Sequence, residues 1–200
     1  MFDRLRNPGL QIAVASLLAL AAATAAMHAA AEARVGQSQV KGKVGTKAPP
    51  FKVTLLDGTT IDSKALLGKV VVLKFWYVAC GPCRQEIPHL NPLVEEFAGQ
   101  PVVFLAPALD APEKIRLFLQ EMPFRYQVVP NAETLVKAFG DITVYPVHIV
   151  IDKRGTIVHF AAGGSLETPN VLRPIITAAL AVGTGGPGAA LDSVSDRRLR

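Results

Sequence analysis

Two hundred residues, half of them hydrophobic, suffice for one domain with a buried core plus extensions, and they exclude a globally disordered chain. Only 18% of the residues are charged, and the net charge of +5 is scattered. The densest basic stretch of the body, Lys41, Lys43 and Lys47, has no interleaved aromatics and reads as a solvated linker, which argues against a nucleic-acid surface.

In chain order, Arg4 and Arg6 come first. From Asn7 to Ala31 there is no Asp, Glu, Lys or Arg, and small residues follow, with A-x-A ends at Ala31 and Ala33. That is the layout of an export signal. The run is also near the roughly 20 residues that span a bilayer. Residues 1–33 therefore read as a cleaved signal, the favoured reading, or as a retained N-terminal membrane anchor. No cysteine follows closely enough for a lipid anchor. Either way the body reaches the periplasm or cell envelope, where dithiols tend to be oxidised. Residues 34–44 read as a linker, 45–182 as the domain, and the Gly-rich, then Arg-rich residues 183–200 as a flexible tail.

Within the domain, "FKVTLLDGTTID" (51–62) places two short runs around Asp57-Gly58, a hairpin signal. "GKVVVLKFWY" (68–77) is a continuous apolar run, as a buried central strand requires. A helix is predicted from about Cys80 to Ala98, with Ile87, Leu90, Val94 and Phe97 at helical spacing. A strand over 101–106, a helix over 112–122 opened by Pro112, a strand over 124–129 and a helix over 132–139 follow. A strand–turn–strand unit (147–162) and a helix (167–182) complete the domain. Alternating β and α, then a hairpin and a helix, point to an α/β sandwich with a mixed sheet.

Cys80 and Cys83 are the only cysteines in the chain. At the start of a helix, residues three apart have Cα atoms about 5 Å apart, inside the disulfide window. Such a pair opens and closes with little backbone movement. Helix N-terminal N–H groups and the macrodipole stabilise a thiolate at Cys80, while Cys83 lies one turn in and is better kept as the resolving thiol. Pro82 suits the first turn, and Gly81 adds no bulk around the attacking sulfur. Other readings stand beside redox chemistry. A structural disulfide across a two-residue gap removes little chain entropy. A zinc site needs four ligands, and His28, His89, His148 and His159 form no paired motif. A c-type haem site needs His after the second cysteine, where Arg84 stands.

The segments "GTKAPPF" (45–51), "LLDGTTID" (55–62), "LGKVVVLKFW" (67–76), "CGPCRQEIP" (80–88) and "YPVHIVIDKRGTIV" (145–158) resemble the thioredoxin superfamily, specifically its exported, reductant-type TlpA/ResA group. The resemblance covers roughly residues 45–182. It implies a thioredoxin-like fold: a central mixed sheet flanked by helices, an N-terminal β-hairpin and a central αβ insertion. It further implies that Tyr145–Pro146 is cis and packs beside the sulfurs, with Trp76, Gly81, Pro82, Tyr145 and Pro146 around the bound client. The implied activity is that of a protein disulfide reductase needing no cofactor. Cys80 attacks a client disulfide, Cys83 resolves the mixed disulfide, and a membrane electron donor re-reduces the pair. Disulfide-bearing clients, such as apocytochrome c or a copper-site protein, are the implied partners.

Three positions depart from the group's pattern. Ala79 stands where a Trp precedes the first cysteine, so the aromatic surface beside Cys80 is reduced. Lys74 stands at a position often held by a buried acid. Val147-His148 follow Pro146 where Thr is common, and His148 either titrates near the site or packs as a strand histidine. The group has a Glu at the position of Glu86, where it tunes the thiols. Here Glu86 is expected to accept the Cys83 proton and to face Lys74 within about 6 Å, because each charge needs a partner in an apolar layer. Two competing functions remain. A peroxiredoxin-like peroxidase shares "VIDKRGTIV" but wants Thr or Ser where Tyr77 stands. A copper-delivery protein would place three residues between its cysteines.

Overall fold

The computed structural model describes residues 43–140 and 142–183. The expected export segment (1–33), most of the linker and residues 184–200 of the tail lie outside the described residues. All described residues belong to one unit, Val40–Arg200.

Chain order gives β1 (Lys52–Thr54), β2 (Thr60–Asp62), a 3-10 turn (Ser63–Leu66), β3 (Val70–Phe75), α1 (Gly81–Glu96), β4 (Val102–Pro107), α2 (Pro112–Glu121), β5 (Gln127–Val129), α3 (Glu133–Ala138), β6 (Val147–Ile151), β7 (Ile157–Ala162) and α4 (Thr168–Ala181). β1 and β2 form the expected antiparallel hairpin. The other strands form one sheet in the order β5-β4-β3-β6-β7. β3–β4 and β4–β5 are parallel, whereas β3–β6 and β6–β7 are antiparallel, so the sheet is mixed, as anticipated.

β3 is central and every residue in it is buried, which is why its sequence is continuously apolar apart from Lys74. Successive side chains still alternate between faces. Val70 and Val72 join the layer formed with Cys83, Ile87 and Leu90 of α1 and Leu172 and Ile176 of α4. Val71, Leu73 and Phe75 join Phe51, Leu55, Val136 and Phe139 on the opposite face. Lys74 therefore falls on the α1/α4 face, between Val72 and Trp76.

α1 carries Pro88 and Pro92 in its interior, each lacking the N–H that an α-helix uses. Burial of Ile87, Leu90 and Leu93, all 0% exposed, holds the helix against the sheet despite this loss. Between β6 and β7, Gly155 adopts φ 78°, and the Asp152 carboxylate accepts from the backbone N–H groups of Arg154 and Thr156. Among the described residues no helix is long and apolar enough to cross a membrane.

Two expectations need correction. Lys43 and Lys47 are not solvated linker. Lys47 bridges Thr156 and its Nζ donates to the Arg154 carbonyl at 2.7 Å. Lys43 Nζ donates to the Phe139 carbonyl and lies 4.9 Å from the centroid of the Phe160 ring. The packed unit thus extends at least to Lys43. The strand predicted over 124–129 is only Gln127–Val129, because Phe124 and Tyr126 stack on each other at 4.6 Å and pack towards Trp76 and Phe104.

Candidate active site

β3 ends where Trp76 bridges Ala108, and the chain then turns through Tyr77–Ala79 into α1. Two contacts fix that turn. Asp110 Oδ2 accepts from the Val78 N–H at 2.5 Å, and the Cys80 N–H donates to the Tyr77 carbonyl at 3.1 Å. Cys80 is the N-cap of α1, with φ −74° and ψ 104°, and its Sγ accepts from the Cys83 N–H at 3.2 Å. The sulfur therefore occupies the position where a helix N-terminus offers unpaired donors to an anion. Cys80 and Cys83 are disulfide-bonded, with Cα atoms 5.2 Å apart, close to the separation expected from helix geometry. Cys80 is 3% exposed and Cys83 0%.

Tyr145–Pro146 is cis. The loop after β7 closes against it: the Gly163 N–H donates to the Pro146 carbonyl at 2.8 Å. Gly164 lies so close that a Cβ there would sit 2.9 Å from Pro82 Cβ and 3.3 Å from Pro146 Cδ. Pro82 of the dithiol turn, Pro146 and Gly164 thus meet at one point. Only a residue without a side chain fits there without something shifting.

Beneath the dithiol lies a buried polar cluster. Lys74 and His148 are directly opposite each other in the β3–β6 register. Both reach one oxygen of Glu86: Lys74 Nζ donates to Oε2 at 2.5 Å, and His148 Nε2 lies 2.9 Å from it. The other oxygen, Oε1, accepts from the Ser165 N–H at 2.8 Å and from the Thr168 hydroxyl at 2.6 Å. Burial pushes the Glu86 carboxyl up, but its bonds and charge contacts with His148 and Lys74 outweigh that and hold it at about 2. Burial lowers the Lys74 ammonium, opposed by Glu86. Burial also lowers His148, opposed by its hydrogen bond to Glu86. The expected Lys74–Glu86 pair is therefore present, and His148 is buried on β6, joined to the same carboxylate.

The expectation that Glu86 accepts the Cys83 proton, directly or through one water, meets a carboxylate that is already engaged. Four donors already fill the carboxylate, and a group held at about 2 is a weak base near neutrality. The expectation that Trp76 lies around the bound client is corrected by its burial. It is 0% exposed, its Nε1 donates to the Ala106 carbonyl at 3.3 Å, and its ring packs on Phe118 and Phe124. A fully enclosed indole belongs to the core and cannot touch a client.

Several residues escaped the sequence reading. Tyr77 packs edge-on against Tyr145 at 5.4 Å, supplying aromatic surface next to Cys80 despite Ala79. Asp110, Gly164 and Ser165 come from the β4–α2 and β7–α4 connections, and Thr168 from the first turn of α4. The Gly163-Gly164 doublet was their one local signal.

A reversible dithiol at a helix N-terminus, on a five-stranded mixed sheet and beside a cis-proline, defines a thiol–disulfide oxidoreductase of thioredoxin-like fold. The comparisons agree. Residues 44–160 match the AhpC/TSA family, and the chain belongs to it. It is 32% identical over 126 residues to the thiol-disulfide oxidoreductase ResA of Bacillus cereus, covering 62% of this chain and 72% of that protein. With the ResA of Halalkalibacterium halodurans it is 33% identical, over the same shares of the two chains. The crystal structure of a thiol:disulfide interchange protein of the thioredoxin family from Chlorobium tepidum matches with a TM-score of 0.60 and 27% identity, covering 68% of this chain and 97% of that one.

Proposed function

We propose that the protein acts outside the cytoplasm as a reductase of disulfides in client proteins. The observation that carries this reading is Cys80 at the N-cap of α1, bonded to Cys83, with Pro82 between them meeting Pro146 at Gly164. In the reduced protein the helix N-terminus stabilises the Cys80 thiolate. That thiolate attacks one sulfur of a client disulfide, forming a Cys80–client bond and releasing the other client sulfur as a thiolate. Cys83 then attacks Cys80, the second client sulfur leaves, and the Cys80–Cys83 disulfide re-forms. Two electrons pass from the dithiol to the client. Gly81, Pro82, Tyr145 and Pro146 line the place where the client lies, and Tyr77 joins them.

The export-like layout of residues 1–33 supports delivery to the periplasm or cell envelope, by a cleaved signal or a retained tether. There the oxidised protein needs a membrane electron donor to act again. Apocytochrome c and copper-site proteins, whose cysteines must be reduced before they bind haem or metal, are the client classes proposed.

Cys83→Ser tests the division of labour. It should accumulate covalent mixed disulfides with clients, whereas Cys80→Ser should accumulate none; equal trapping by both would sink the assignment. The Cys80–Cys83 potential in a defined thiol buffer tests the direction. A value near about −270 mV supports a reductant, and one near about −120 mV would overturn it. Peroxide turnover faster than client reduction would favour the peroxidase reading instead.

A further inference from the structure

We infer that His148, and not Glu86, takes up the proton that Cys83 must lose before it can attack Cys80. This rests on the reading of Cys83 as the resolving thiol.

Glu86 is ionised and accepts four hydrogen bonds. A carboxylate has no hydrogen to give, so the contact to His148 Nε2 requires that Nε2 carry the hydrogen. The tautomer is thereby fixed, and Nδ1 is left as a bare acceptor. Nδ1 is buried and has no hydrogen-bond partner among the described residues. A buried imidazole nitrogen without a partner is costly, and an apolar strand residue would avoid the cost. The nitrogen is a free basic lone pair in the layer that holds Cys83. His148 shares its sheet face with Val150, which packs in the same cluster as Cys83, and Glu86 lies one helical turn beyond Cys83. The other groups cannot serve: Lys74 is already an ammonium bound to Glu86, and burial drives the Tyr126 phenol upward.

The charged and titratable groups around His148 fit this role. From β3 comes Lys74, from α1 Glu86, from the edge strand β7 His159, and from α4 the Thr168 hydroxyl. Burial, followed by the Lys74 charge, lowers His148 and leaves the ring neutral at rest, while the bonded Glu86 carboxylate opposes that lowering and favours the imidazolium. Once Nδ1 gains the proton, the imidazolium remains bonded to the Glu86 carboxylate. Glu86 is thus a positioning residue that orients the ring and steadies the charge formed. In balance, the Cys83 S–H bond breaks and an N–H bond forms at Nδ1. The Cys83 sulfur bonds to Cys80, the Cys80–client bond breaks, and its electron pair leaves with the client sulfur. His148 then returns the proton through solvent to that thiolate.

Stopped-flow single turnovers of the reduced full-length protein with a disulfide-bonded peptide, followed from pH 5 to 9, separate attack from resolution. His148→Gln keeps an amide N–H that can reach Glu86 but has no titrating nitrogen. Its attack phase should stay within about twofold of wild type, while resolution slows at least about tenfold and loses its inflection with pH. Burial is the main influence that lowers His148 and the Lys74 charge adds to it, so Lys74→Met should move the inflection of the resolution phase to higher pH. Resolution in His148→Gln within about twofold of wild type, with the same pH profile, would overturn the assignment. So would an unmoved inflection in Lys74→Met, which decides the matter if the Gln variant does not fold. A Cys83→Ser variant that never forms a Cys80-linked intermediate would overturn the reductase reading, and the proton assignment with it.

Discussion

Glu86 is the residue on which four elements converge. It ties α1 to β3 through Lys74, to β6 through His148, to the β7–α4 loop through Ser165 and to α4 through Thr168. The two ends of the Lys74–Glu86 pair are therefore unequal. Lys74→Met leaves a carboxylate with three donors. Glu86→Leu leaves an ammonium, an imidazole N–H, an amide and a hydroxyl without their acceptor. We expect urea midpoints to report a loss of about 2–3 kcal/mol for the first and about 3–5 kcal/mol or more for the second. Equal losses would mean that the hub is not shared. The same cluster sets the response to acid. His148 lies below its ordinary 6.5 when folded, so the unfolded chain binds a proton that the folded one refuses. Stability from His148 is complete above that value and starts to fall as pH drops through it. Glu86, held at about 2 against an ordinary 4.5, adds a second loss between those values. Urea midpoints should thus decline from pH 8 to 5.5 and again towards pH 3, and His148→Gln should flatten the first decline while keeping the second.

Elements act on the site through their connections more than through their regular parts. β3 and α1 deliver the cysteines, yet the walls around Cys80 come from three loops: Tyr77–Ala79, Val144–Pro146 and Gly163–Ser165. Gly164 is where two of these loops meet the first turn of α1. Gly164→Ala must displace Pro82 or Pro146, because its Cβ would lie 2.9 Å from Pro82 Cβ. The stability cost should be about 1 kcal/mol, since the loop can move outward. The catalytic effect should be larger and selective. kcat/KM for a folded protein disulfide should fall more than the rate with a small aromatic disulfide, which needs no cleft. An equal fall for both would show that the change acts on the dithiol and not on the wall.

For the whole molecule, the buried residues of both core layers lie between Phe51 and Ala179, and the first docked side chain described is Lys43. A chain of residues 43–183 therefore holds every apolar contact of the two layers among the described residues. It should fold with the melting temperature of the full chain and reduce insulin at an equal rate. A drop of more than about 4 °C, roughly the shift that 1 kcal/mol produces in a domain of this size, would mean that the removed segments contribute to the fold.

The sequence by itself determined the element order, the placement of Cys80 at a helix start and the mixed character of the sheet. Each of these is local: a continuous apolar run reads as a buried strand, and two cysteines three apart on a helix start can only be neighbours. It also determined that Lys74 and Glu86 need one another, because two charges assigned to one apolar layer have few alternatives. Only the tertiary structure decided how they are satisfied. His148, Ser165 and Thr168 lie 62, 79 and 82 residues from Glu86 in the chain, and no pattern along the sequence links them. The burial of Trp76 was undecidable for the same reason, since an indole after a strand faces client or core depending on whether Phe118 and Phe124 arrive to cover it. Which lone pair is left free to move a proton depends on the full set of donors around Glu86, and that set exists only once β3, α1, β6 and α4 have packed together.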